Sequence, residues 1–146
     1  MENQEHYRKL ERMYLSARFN TQIYETTECT FGLETAEISM TISDKYFHAL
    51  GAIHGSVYFK LLDDAAFFAV NSIVEDVFVL TTNFNINITR PVNEGKITAI
   101  GKVKFKSRNL FIAESTLYNE EGKEIAFGTG HFAKSKFALS EEIGYK

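Results

Sequence analysis

At 146 residues, with 45% hydrophobic and 24% charged residues, the chain has the size and composition of one globular domain. Its net charge of -3 is unevenly distributed, because residues 1–95 hold 7 Lys and Arg against 13 Asp and Glu whereas residues 96–136 hold 8 against 4. A general nucleic-acid binder would be basic overall, so this distribution excludes that class and leaves room for one phosphate-bearing ligand. We expect a single domain over residues 1–146 with its core at about 22–136.

The sequence carries no signal for export or for membrane insertion. The N-terminus is charged where a signal peptide needs an apolar run, and no stretch approaches the ~20 apolar residues of a membrane span. Cys29 is the single cysteine, so it has no intrachain disulfide partner, which agrees with a reducing compartment. We therefore expect a cytoplasmic protein that does not bind membranes.

The first half of the chain predicts two helices separated by strands. Apolar residues recur at helical spacing among charges over residues 4–18, which indicates a short amphipathic helix. Strand signals follow over residues 24–43, and a turn-rich stretch covers 44–56. Residues 57–74 contain no Gly or Pro and are apolar nearly all round, so we predict a long helix that is buried on most sides.

The second half predicts strands. Strand-like runs lie at about 77–90, 96–107, 109–119 and 123–134, and residues 119–123 between the last two resemble a hairpin turn. The whole pattern predicts an α+β fold in which one antiparallel sheet, ending in a four-strand meander, wraps around one long central helix. Such a sheet is the simplest cover for so much apolar helix surface.

Two adjacent carboxylates, Asp63 and Asp64, lie inside this most apolar helix. Burying an unpaired charge costs several kcal/mol, so such a carboxylate is paired, neutralised by a raised pKa, or exposed in a cleft. A helix turns about 100° per residue, so the two side chains need not share one environment. We predict a functional role for Asp63 and a surface or hydrogen-bonded position for Asp64.

The stretch before the central helix, residues 48–56, contains Gly51 and Gly55, which permit tight turns and leave backbone amides open to approach. The unpaired amides of a first helical turn, with the helix dipole, would stabilise the oxygen of a polarised thioester carbonyl. Asp63 lies eight residues beyond Gly55, about 12 Å along an α-helix, which is too far to act on the same carbonyl. If both groups act on one atom, two antiparallel helices from two subunits must meet.

Residues 54–56, His-Gly-Ser, with Asp63 nine residues after the histidine, and the later run 81–91 resemble the hotdog thioesterases of the phenylacetyl-CoA thioesterase type. The resemblance covers roughly residues 30–134. It implies the hotdog fold and hydrolysis of acyl-CoA to free acid and coenzyme A. It also implies a homodimer, or a homotetramer built as a dimer of dimers, that needs no cofactor beyond the coenzyme A of its substrate.

The resemblance implies roles for four residues. Gly55 would donate its N–H to the thioester carbonyl, and His54 would organise the loop. Asp63 of the partner subunit would attack the carbonyl or activate a water, and Thr81 would orient the carboxylate or the water.

Two positions depart from the family pattern. His48 stands where the family usually has Asn, the residue thought to hold the attacking water or the nucleophile. Histidine can both donate and accept hydrogen bonds, but its charge can change near neutral pH. Ser56 replaces a second glycine, which a helix N-terminus tolerates.

His48, His54 and Asp63 do not predict a metal site. Such a site needs three or four ligands that converge, and the resemblance gives these residues other roles.

Two other functions remain open on the same residues. Acyl-CoA dehydratases and hydratases share the fold and use a histidine with a helix carboxylate, a pair that His48 and Asp63 would supply. A noncatalytic acyl-CoA-binding protein is the alternative of a different class, and the histidine in place of Asn keeps it open.

A row of cations is predicted on one strand. Lys102, Lys104, Lys106 and Arg108 alternate, so we expect them on one face, which is either a solvated surface or a contact for the phosphates of coenzyme A. We single out Lys106 and Arg108, together with Arg90, for the phosphates. Ser56 and Phe59, at the start of the central helix, are further candidates for substrate binding.

Overall fold

The computed structural model describes residues 2–146, in which two α-helices and six β-strands are joined by short turns. The helices and strands are α1 (Gln4–Ser16), β1 (Glu28–Gly32), β2 (Thr35–Thr41), α2 (Gly55–Asn71), β3 (Val77–Ile88), β4 (Lys96–Lys106), β5 (Phe111–Tyr118) and β6 (Glu124–Ala138). Single helical turns lie at Phe19–Ile23, Asp44–Tyr46 and Glu141–Ile143. The predicted order of elements is confirmed.

Helix α1 packs on the body of the protein through one apolar stripe. Asn3 caps its first turn, because the Asn3 side chain accepts a hydrogen bond from the His6 N–H at 3.1 Å. The stripe buries four large side chains, which are Tyr7, Leu10, Met13 and Tyr14. Buried packing therefore begins before residue 22, where we placed the start of the core.

Helix α2 begins two residues earlier than predicted because His54 caps it. The His54 Nδ1 accepts a hydrogen bond from the Ser56 N–H at 3.0 Å. The helix ends at Asn71 and not at Val74, since the Asn71 side-chain amide donates to the carbonyl of Val74 and so holds the turn that follows. Within residues 2–146 no helix is both long and apolar enough to cross a lipid bilayer.

The six strands form one antiparallel sheet in the order β1-β2-β4-β5-β6-β3. The predicted four-strand meander is wrong at its first strand, because β3 pairs with β6 and not with β4. The chain between residues 89 and 95 leads from the edge strand β3 past β6 and β5 to β4, and all six strands contact α2. The predicted hairpin at residues 119–123 is confirmed, and β3 is left as an edge strand.

Gly101 of β4 lies directly against the backbone of α2. A Cβ atom at this position would lie 2.2 Å from the carbonyl oxygen of Ala65, which belongs to the helix backbone. On β5, the Ser115 hydroxyl donates a hydrogen bond to the carbonyl of Leu62 at 2.7 Å. These contacts hold the turn of α2 that carries Asp63 and Asp64 against β4 and β5.

We predict that Gly101→Ala lowers the free energy of unfolding by about 1–3 kcal/mol, because the helix backbone must move away from the added methyl group. Gly32→Ala is the matched control, since its Cβ would meet only the Thr35 Cγ2 at 3.4 Å, an ordinary contact. Urea unfolding followed by circular dichroism measures both. Equal stability of the two variants would show that this close approach does not constrain the helix.

Candidate active site

Asp63 lies in the middle of α2 and faces β3, where its Oδ1 accepts a hydrogen bond from the Thr81 hydroxyl at 2.9 Å. Both residues line a cavity of about 780 Å³. Burial raises the pKa of Asp63 to about 6, and the charge of Asp64 also raises it, whereas the Thr81 hydrogen bond and the charge of Lys60 lower it. A carboxyl group with this pKa is ionised at neutral pH and still accepts a proton readily, as a general base must.

Asp64 lies in a different environment on the same helix. Its Oδ2 accepts hydrogen bonds from the Tyr14 hydroxyl at 2.7 Å and from the Lys60 ammonium group at 2.5 Å. Lys60 is only 7% exposed, and its ammonium group lies 5.0–5.2 Å from the ring centroids of Tyr14, Phe19 and Tyr24. Asp64 therefore neutralises a buried cation, in line with the hydrogen-bonded position predicted for it.

Gly55 lies in a second, smaller cavity of about 340 Å³ at the start of α2, together with His48 and Arg90. Its N–H donates no hydrogen bond to any group in residues 2–146, so it is free to bind a ligand oxygen. The His48 Nδ1 accepts a hydrogen bond from the Leu50 N–H at 3.1 Å, which places a proton on Nε2. This cavity thus combines a free backbone amide with a histidine donor and an arginine.

The predicted site residues therefore fall into two groups on one chain. Asp63 and Thr81 line the larger cavity, whereas Gly55, His48 and Arg90 line the smaller one. Within one protomer the carboxylate and the free amide do not face a common space, as the helical rise between them predicts.

Three other predicted residues lie on the first two turns of α2 or just before it. Ser56 is exposed, and Phe59 is 41% exposed with its ring packed edge-on against Phe84. Asp63 follows these two side chains at helical spacing, so the three share one stripe of the helix. The side chain of His54 is exposed and accepts hydrogen bonds from Ser56, so its observed role is to cap the helix.

The predicted row of four cations on one strand face is wrong. The pairing of β4 with β5 shifts by one residue at Lys104, so Lys106 points to the face opposite Lys102. The Lys106 amine forms an ion pair with Glu34 at 2.7 Å, and Arg108 lies in the turn beyond the strand. Neither Lys106 nor Arg108 lines either cavity.

The buried ion pair around Lys60 was not predicted from the sequence. The one feature of the sequence that could have indicated this ion pair is the spacing of its two residues. Lys60 and Asp64 are four residues apart and therefore face the same side of a helix. The aromatic groups around Lys60 come from residues 14–24, which no local pattern connects to α2. In residues 2–146 no three His, Cys, Asp or Glu side chains converge as metal ligands would.

Comparison with solved structures shows that this fold is shared. The PaaI protein of the phenylacetic acid degradation operon of Escherichia coli is 17% identical, with a TM-score of 0.84 over 94% of this chain and 98% of that chain. A thioesterase of Haemophilus influenzae is 22% identical, with a TM-score of 0.75 over 87% and 88% of the two chains. A mutant of the phenylacetic acid degradation protein PaaI from Thermus thermophilus is 19% identical, with a TM-score of 0.70 over 79% and 97%.

The sequence itself identifies the family. No curated protein matches it significantly. However, residues 50–126, which are more than half of the chain and include Gly55, Asp63 and Thr81, match the family model of the thioesterase superfamily. With its antiparallel sheet around one central helix, the chain belongs to the thioesterase superfamily and has a PaaI-like hotdog fold.

Proposed function

We propose that the protein hydrolyses acyl-CoA thioesters to the free acid and coenzyme A, with Asp63 as its central catalytic residue. The observation that supports this proposal best is the environment of Asp63, a carboxyl group with a near-neutral pKa that opens into a largely apolar cavity. The chain belongs to a superfamily of thioesterases, and such a carboxylate beside an apolar space suits attack on an acyl group.

The proposed reaction breaks the C–S bond of the thioester. The Asp63 carboxylate takes a proton from a water as that water attacks the carbonyl carbon, or it attacks the carbon itself to give an anhydride that water then hydrolyses. Thr81 holds the carboxylate in place through its hydrogen bond. The Gly55 N–H stabilises the negative oxygen of the tetrahedral intermediate, and the coenzyme A sulfur leaves as a thiolate that is then protonated.

The proposed site needs two subunits, because Asp63 and Gly55 line different cavities of one chain. In a two-fold dimer with antiparallel α2 helices, Asp63 of each subunit meets Gly55 of its partner. Two surfaces support this pairing: the exposed stripe of α2 that carries Phe59, and the edge strand β3, which presents an unpaired edge. Larger assemblies would pair such dimers.

Arg90 is the best supported contact for the phosphates of coenzyme A, because it is exposed and lines the same cavity as Gly55. His48 lines this cavity too, and we propose that its Nε2–H holds the attacking water in place of the family's usual Asn. Ser56 and Phe59 are proposed to contact the substrate at the subunit interface, and Lys106 and Arg108 remain proposed contacts for the nucleotide. We propose a cytoplasmic location, and no cofactor is needed for this chemistry.

We predict that Asp63→Asn lowers kcat by at least about a hundredfold, because the amide is neither a base nor a nucleophile. Above pH 6 this variant should also be more stable than the wild type. A carboxyl group whose pKa is raised on folding lowers the stability of the wild type when it ionises, so the stability difference between variant and wild type disappears toward pH 4.

Asp64→Asn should give the reverse pattern. It should lower stability by roughly 2–4 kcal/mol, since it removes the countercharge of Lys60, and keep most of the turnover.

Turnover is measured as the release of coenzyme A from acyl-CoA, which a thiol reagent detects. Stability is measured by thermal unfolding. Near-wild-type turnover by Asp63→Asn would remove Asp63 from the mechanism. Action on 3-hydroxyacyl-CoA alone would identify a dehydratase, and saturable binding without turnover would identify a noncatalytic binder.

We predict that kcat rises with pH through about 6 and then levels off, because the ionised form of Asp63 is the active one. Thr81→Val should move this rise to higher pH, since the Thr81 hydrogen bond lowers the pKa of Asp63. Thr82→Val is the control, because the Thr82 hydroxyl bonds the carbonyl of His131 instead. An identical pH profile for Thr81→Val and the wild type would contradict the role of Thr81.

We predict that Gly55→Pro lowers kcat by about a hundredfold whereas Gly55→Ala does not, because proline removes the N–H that stabilises the oxyanion. Gly55 is the first residue of α2, where proline is well tolerated. The preceding residue, His54, has φ -65° and ψ 147°, which suit a residue before proline. A Gly55→Pro variant that folds and hydrolyses as fast as Gly55→Ala would exclude this amide.

A further inference from the structure

The cavity that contains Asp63 is completed by the two ends of the chain. Residues 140–146, which we name the C-terminal strap, form one wall of it, and the C-terminal half of α1 forms another. Met13 and Tyr14 of α1 and Ile143 of the strap line the cavity. All of these residues lie outside the segment 50–126 that matches the family model.

The C-terminal strap is fastened to α1 and α2 by specific contacts. The Tyr145 hydroxyl lies 2.7 Å from Nδ1 of His6, and the other ring nitrogen of His6 lies 2.8 Å from the carbonyl oxygen of Asn71. His6 is 2% exposed, so this connection is buried. Gly144 has a φ of 91° and passes so close to α1 that a Cβ atom there would lie 2.3 Å from the Ser16 Oγ. The strap is therefore a defined wall of the cavity.

Helix α1 is held beside the same cavity by contacts between Tyr14 and α2. The Tyr14 hydroxyl donates a hydrogen bond to Asp64, which also binds the buried ammonium group of Lys60. The hydrogen bond from Tyr14 to Asp64, with one that the Lys60 ammonium group donates to the Tyr14 hydroxyl at 3.1 Å, holds α1 against α2 directly beside Asp63. The position of both terminal segments therefore sets the space that is open to an acyl group.

The lining of this cavity combines apolar surface with negative charge. Its apolar part includes Phe67, Phe68 and Phe78. Its charged part consists of Asp63, Glu141 and Glu142 against Lys146, together with Asp64, whose charge is balanced by the buried Lys60. Glu141 and Glu142 are exposed and form no ion pair in residues 2–146, so their charge acts on whatever enters the cavity.

We propose that the C-terminal strap makes the enzyme select neutral, apolar acyl groups and reject acyl groups that carry a carboxylate. This inference rests on the proposed thioesterase function and names its substrate class. The aromatic walls favour apolar chains by burying them, and a second carboxylate on the acyl group meets the like charges of Glu141 and Glu142. The two glutamates are thus specificity-determining residues for the reaction at Asp63.

Hexanoyl-CoA and adipoyl-CoA test this proposal, because their acyl chains have the same length and differ in a terminal carboxylate. Binding of each is measured by calorimetry in the Asp63→Asn background, where turnover is suppressed. We expect hexanoyl-CoA to bind more tightly, and we expect Glu141→Gln with Glu142→Gln to reduce the ratio of the two affinities roughly tenfold at low salt. High salt should weaken the discrimination.

The control removes two equal charges elsewhere. Glu120→Gln with Glu121→Gln, in the hairpin between β5 and β6, should leave the ratio as it is in the parent. The proposal is overturned if adipoyl-CoA binds as tightly as hexanoyl-CoA, or if the two double variants give the same ratio.

Hydrolysis of hexanoyl-CoA by the wild type is measured separately. Charge discrimination in binding with no hydrolysis would overturn the proposed function and leave the selectivity of the strap standing. Hydrolysis of both substrates at equal kcat/KM would leave the proposed function standing and overturn the selectivity.

Discussion

The structure depends on one electrostatic constraint, the burial of the Asp63 carboxylate in a mostly apolar helix. Burial raises the pKa of Asp63 to about 6, and the hydrogen bond from Thr81 lowers it only in part. Its neighbour Asp64, on the same helix, is bonded to Lys60 and Tyr14. Two adjacent positions of α2 therefore hold a carboxylate that stabilises the packing and one whose charge is left available for chemistry.

The rigidity of α2 is the reason that the proposed reaction needs two subunits. A helix that starts at Gly55 cannot bend Asp63 back to its own first turn, and the close contact of Ala65 with Gly101 prevents the helix from shifting on the sheet. The carboxylate and the free amide open into separate cavities on one chain. In the proposed two-fold dimer, Asp63 of one subunit would meet Gly55 of its partner without any change in the fold of either subunit.

Sequence patterns predicted the features that depend on local periodicity. The apolar circumference of residues 57–70 predicted a buried helix, and the isolated carboxylates within it identified the candidate site. The position of β3 beside β6 was not predicted, because strand propensity carries no information about which distant strand becomes a neighbour. The single extra residue at Lys104 reversed the face of Lys106, and alternation alone could not reveal it.

The C-terminal wall of the cavity was beyond prediction for a related reason. Its contacts join His6 to Tyr145 and Arg12 to the carbonyl of Lys146, groups that are almost a whole chain apart in sequence. Such pairs depend on the completed tertiary structure. The proposed reaction was therefore inferred from the helix at the centre of the chain, whereas the proposed choice of acyl group depends on the terminal segments.

The most direct test of the central claim combines two inactive subunits. A heterodimer of Asp63→Asn with Gly55→Pro contains one site with both wild-type groups if each site is shared between subunits, so it should show about half of the wild-type kcat. A heterodimer of wild type with a subunit carrying both substitutions contains no such site and should be inactive. The opposite result, with activity in the second heterodimer and none in the first, would show that Asp63 and Gly55 act within one chain and would contradict this account.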